Sequence, residues 1–161
     1  ECTEQEIADA IADFQSFFPD GTWELEVVFT DTSSTTVEIE LSHDLPAAPD
    51  IRRPREEQNL KKVKDIRWRD TSEAGDPEII SYEVVAEMVI DGETFKNIAI
   101  LPGSARKLTI SKEFMSLAKR AKKRGDLEEF KVEIVARADN LNKTITEVPV
   151  FEFEEEEEEE E

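Results

Sequence analysis

The stretch "TWELEVVF", Thr22 to Phe29, constrains the fold more than any other part of the chain. Trp23, Leu25, Val27 and Phe29 fall on one side of an extended backbone, and Glu24 and Glu26 fall on the other. That period of two is the geometry of a β-strand with one face apolar and the other wet. After the polar turn "TDTSST", Val37, Ile39 and Leu41 repeat the pattern against Glu38 and Glu40. The two runs therefore form a hairpin. The same alternation closes the chain in "VEIVARA" and "TITEVPVFEF". The "ADNLN" between them reads as a connecting turn, because Asp and Asn tolerate unusual backbone angles. Pro149 has no N–H to give to a ladder and favours an edge for the last strand.

Between these hairpins the chain keeps to short strands. "VKDIRWRD", "IISYEVVAEMVI", "TFKNIAIL" and "KLTI" follow one another from Leu60, and Asp91-Gly92 marks a tight hairpin between the second and third. Two segments have helical spacing instead. Ile7, Ile11 and Phe14 share a face over residues 4–17, with Thr3 and Glu6 spaced as a capping box. Ser111 suits an N-cap for residues 112–124, where Phe114, Leu117, Ala118 and Ala121 share a face. Lys122, Lys123 and Arg124 complement the negative end of that helix, and Gly125 stops it. The Pro-rich "PAAPDIRRPREEQ" reads as a joint that cannot enter a central ladder. The expected organisation is an N-terminal helix and hairpin over 1–49, a β-sandwich over 60–153 and an acidic tail over 154–161. The fold class is mainly β and antiparallel.

A set of spaced residues sharpens that class. Trp68 in "IRWRD", Tyr82 in "ISYEVVAEM", and the run "FKVEIVARADN" into Ala136 and Asn140 resemble a fibronectin type III domain, an immunoglobulin-like β-sandwich. The segment "FFPDGTWELEVVF … LSHDLPAAPDI" is similar to one that precedes such a domain in a group of uncharacterised bacterial exported proteins, and "NLNKTI" matches a Gly-Asn-Gln-Thr-Ile phrase near their end. The resemblance implies a secreted or periplasmic binding module. Two departures stand out. Phe130 takes the place of a family tyrosine whose hydroxyl ties the corner back to the backbone, so packing alone must hold that corner. The turn before it is replaced by the basic helix 112–124, which inherits no role.

Composition narrows the function classes. A chain of 161 residues buries about two-thirds of its unfolded surface, so a core needs no disulfide or metal. The formal charge is −20, of which the eight glutamates Glu154 to Glu161 carry a large share. That balance argues against a nucleic-acid partner. No run approaches the about 18 apolar residues of a membrane span, and no signal peptide is visible. The start at Glu1 suits a mature or trimmed product. Cys2 is the only cysteine, so an internal disulfide is excluded and a free thiol expected.

Catalysis needs a nucleophile with a base, a tuned acid pair or a metal. The one histidine, His43, stands beside Asp44, but adjacent strand residues point to opposite faces. No phosphate loop and no His-Glu-x-x-His or Cys-x-x-Cys spacing occurs. The chain is therefore expected to be non-catalytic, with no resident cofactor. Calcium is the one metal the pattern admits, since it takes loop oxygens. In a sandwich of this type Asp70, Glu73, Asp76 and Glu78 would face Asp139, Asn140 and Asn142, with Asp70, Asp76, Asp139 and Asn140 as the leading ligands. Asn142-Lys143-Thr144 is a glycosylation sequon. The stretch Arg106 to Arg124 holds eight basic residues against Glu113, which reads as a solvated face or a seat for an acidic partner. Glu and Lys along strand edges read as protection against unwanted pairing. The leading reading is a module for protein–protein interaction or spacing. The rivals are a calcium- or carbohydrate-binding module at the loop end, and a chain generated to fold with no evolved activity.

Overall fold

A computed structural model describes residues 3–152. Cys2 and the glutamate run 154–161, about which the sequence carried expectations, lie outside the described residues. The chain divides into two compact units, 1–44 and 45–161.

The first unit holds helix α1 (Glu4–Phe17), strand β1 (Gly21–Val28) and strand β2 (Ser34–Leu41). Thr3 and Glu6 cap each other reciprocally at the start of α1. The hairpin pairs Trp23 with Ile39 and Leu25 with Val37 on one face, and Glu24 with Glu38 on the other. Its turn runs from Phe29 to Ser33, closed by the Phe29 amide on the Ser33 carbonyl at 2.8 Å.

The second unit holds β3 (Asp50–Arg53), β4 (Asp65–Arg69), β5 (Ile79–Ile90), β6 (Glu93–Pro102), β7 (Lys107–Thr109), α2 (Lys112–Arg124), β8 (Leu127–Ala138) and β9 (Lys143–Glu152). They form two antiparallel sheets, ordered β3-β4-β7 and β6-β5-β8-β9. Alternation explains the second sheet. Tyr82, Val84, Ala86 and Met88 on β5 and Phe130, Val132, Ile134 and Ala136 on β8 are fully buried, and all join one apolar cluster with Ile66 and Trp68 of β4. Both sheets thus contribute to a single core, as a β-sandwich requires.

The apolar face of α2 closes this core with Met115, Ala118 and Ala121 buried. Ser111 accepts the Phe114 amide at its N-terminus, and Gly125 ends it in the left-handed region at φ 88°. Phe130 packs 6.0 Å from Phe114. Sequence reading assigns no strand to the Pro-rich joint, yet Asp50–Arg53 forms β3 within it. The prolines flank this strand rather than interrupt it, and β3 lies at the edge of its sheet, where a ladder tolerates them.

Candidate functional site

Two loops meet at one end of the second unit. The Asp139 amide donates to the Glu78 carbonyl at 3.0 Å, which joins the 70–78 loop to the β8–β9 turn. Beside this junction a recess of about 560 Å³ is lined by Asp70, Ser72, Asp76, Glu78, Gly103 and Ser104, among others. Gly103 is required there, because a Cβ at this position would sit 1.8 Å from the Ile79 carbonyl oxygen.

The carboxylates around the recess are already engaged by their own loops. Asp70 Oδ1 accepts the Ser72 amide at 2.9 Å, and its Oδ2 takes the Arg106 guanidinium. Burial pushes the Asp70 carboxyl up, but the Ser72 hydrogen bonds and Arg106 outweigh it and leave it below the ordinary carboxylate value. Asp76 Oδ2 caps the Glu73 amide at 2.8 Å. Asp139 Oδ1 accepts the Asn140 amide at 2.9 Å, and Asn140 Oδ1 accepts the Asn142 amide at 3.1 Å. The four leading calcium candidates therefore act as turn-closing acceptors. Among the described residues no group of three or more His, Cys, Asp or Glu side chains is gathered as a metal site. In the sequon, the Thr144 hydroxyl donates to the Pro46 carbonyl at 2.6 Å.

Arg106, the first residue of the basic stretch, lies before β7 and faces the loops. Its guanidinium donates to the Gly103 and Ala105 carbonyls and lies 5.4 Å from the centre of the Tyr82 ring. Tyr82 in turn packs edge-on against Trp68 at 5.3 Å. Arg106 thus ties Asp70 to the Gly103–Ala105 backbone and to the Tyr82 ring. Lys107 lies on β7 beside Asp65, and the other six basic residues of the stretch lie on α2. Lys119, Lys122 and Lys123 join Lys61 along an open groove of about 410 Å³, and Lys122 Nζ stands 3.7 Å over the Phe151 ring.

A second polar constellation crosses the sheet face opposite the core. Lys131 of β8 reaches Glu147 at 3.1 Å, Glu133 at 3.2 Å, Glu87 at 3.8 Å and Glu129 at 3.9 Å. Lys96 covers the other oxygen of Glu87 at 2.5 Å. The hydrogen bond that Lys131 donates to Glu147 raises its ammonium above the usual lysine range; partial burial opposes this, and Glu133 adds to it. Only the strand register reveals this ladder, since its members are scattered from Glu87 to Glu147 in sequence.

In the first unit, His43 pairs with Asp20 rather than with its neighbour Asp44. Its Nδ1 lies 2.9 Å from Asp20 Oδ1, which also accepts the His43 amide at 2.7 Å. Phe14 stacks edge-on to the imidazole at 5.9 Å, and Phe18 lies 5.9 Å from Trp23. The histidine pins the end of the hairpin to the Pro19–Gly21 corner. Other apolar side chains of this unit, Ile7, Ile11, Leu25, Val37 and Ile39 among them, are each about half exposed. No protein-family model matches the chain, and no curated protein matches it.

Proposed function

We propose that the chain is a non-catalytic, fibronectin type III-like β-sandwich module whose role is protein–protein interaction or spacing in an exported protein, secreted or periplasmic. The observation that carries this reading is the strand order β3-β4-β7 against β6-β5-β8-β9 around the Trp68–Tyr82 pair, an arrangement expected of that sandwich type. It agrees with the resemblance noted at Trp68, Tyr82 and Ala136. The charged groups of the second unit support a structural role: Asp70, Asp76 and Asp139 close turns, and Lys131 clasps neighbouring strands. The export assignment rests on the resemblance alone.

Capture with the immobilised full chain from its native source, with and without calcium, tests the reading. A protein partner held equally in chelator and in millimolar calcium is expected. A partner or glycan held only with calcium, together with a calcium-dependent rise in melting temperature, would contradict it in favour of a loop-end binding module. Recovery of no partner under either condition would contradict the interaction role.

A further inference from the structure

Among the described residues the hairpin of the first unit is a two-stranded sheet with no third strand on either edge, and such a pair is marginal in water by itself. Neither face is satisfied. On one, Leu25, Val37 and Ile39 remain about half exposed beside Trp23. On the other, Glu24 stands directly opposite Glu38, a like-charged cross-strand pair that disfavours the hairpin. Residues 1–44 hold twelve acidic side chains and no lysine or arginine, so every one of the chain's 20 basic residues lies beyond them. The unit therefore has no ammonium or guanidinium of its own to relieve that pair.

From this juxtaposition we propose that the β1–β2 hairpin is a docking site for an extended, basic amphipathic segment of a partner protein, added as a third strand. The inference rests on reading the chain as a binding module. Period two decides the form of the partner. A strand that alternates basic and apolar residues, laid along either edge, sets its cations beside Glu24, Glu26 and Glu38. The same strand sets its apolar side chains beside Leu25 and Val37 and pairs the open backbone edge. A helix covers only one of the two faces. Charge also disfavours two other occupants. A second copy of the unit would bring twelve acids against twelve, and the chain's own run Glu154 to Glu161 is equally anionic.

Trp23 reports on the site directly, because it sits on the apolar hairpin face while Trp68 is 3% exposed and supplies a constant background. The probe is a peptide of about ten residues alternating valine and lysine, titrated into the full chain. The expected result is a saturable blue shift of Trp23 emission that weakens at least about tenfold between about 0.05 M and 0.5 M salt. Leu25→Ser with Val37→Ser, and separately Glu24→Lys with Glu38→Lys, should each weaken binding at least about tenfold. Near-ultraviolet circular dichroism of the buried Trp68 and Tyr82 should stay unchanged in both. The proposal is overturned if a valine–glutamate or serine–lysine peptide binds equally well, if both double variants retain full affinity, or if binding disappears on removal of Glu154 to Glu161. Absence of binding in every arm also overturns it. If the full chain still captures a protein from its native source in that case, the module reading stands and only the hairpin assignment falls.

Discussion

At the residue scale, two kinds of charge are set by register. Lys131 is 20% exposed and serves four carboxylates at once. Its removal leaves those carboxylates to repel one another on a partly desolvated sheet face. Lys131→Met should cost about 1–2 kcal/mol in urea unfolding, while Lys96→Met, which removes a more exposed partner, should cost less. The acid side follows Asp65. Its hydrogen bond from Arg67, opposed by partial burial and supported by Lys107, holds its carboxyl below the ordinary value. A depressed folded pKa means that this stability is present above the unfolded value of about 4 and is lost as pH falls through the folded one. Asp65→Asn should therefore flatten the loss of melting temperature below about pH 4 and leave the slope between pH 5 and 7 unchanged. Neither effect is legible in the sequence. Asp65 could be placed on a strand by alternation, but only the pairing of β4 with β7 brings Lys107 to it.

At the scale of elements, local periodicity carries most of the information. The spacing of Ile7, Ile11 and Phe14, and of Phe114, Leu117 and Ala121, corresponds to α1 and α2, and the alternation in β5, β8 and β9 assigns their faces. What periodicity misses is β3, whose four residues lie between buried prolines and are too few to show a period. It also cannot show that Arg106 turns to the loop end to meet Asp70. Two substitutions test the elements. Gly103→Ala drives a methyl into the Ile79 carbonyl and must displace the end of β6 from β5. A loss of about 2 kcal/mol or more is expected by chemical denaturation. Glu38→Lys converts a repulsive cross-strand pair into an attractive one. It should strengthen the hairpin by about 0.5 kcal/mol, read as roughly twofold slower exchange of the hydrogen-bonded amides in β1 and β2.

At the scale of the whole molecule, burial is divided unequally between the units. Every core residue lies in the second unit, from Leu60 to Val150, while the first exposes its apolar side chains on both its helix and its hairpin. The candidate calcium loops were legible as neighbours, because the sandwich type brings them together. Their local bonding was not, because the Arg106 contact to Asp70 and the turn amides on Asp70 and Asp76 depend on the loop conformation. Sequence alternation likewise revealed the hairpin but could not show that Leu25, Val37 and Ile39 stay about half exposed. Amide hydrogen exchange on the full chain, with and without the valine–lysine peptide, measures this division most directly. The amides of β5 and β8 should exchange only through global unfolding, and those of β1 and β2 should exchange orders of magnitude faster until the peptide slows them. Equal protection of β1, β2 and β8 in the chain alone, unchanged by the peptide, would contradict the account.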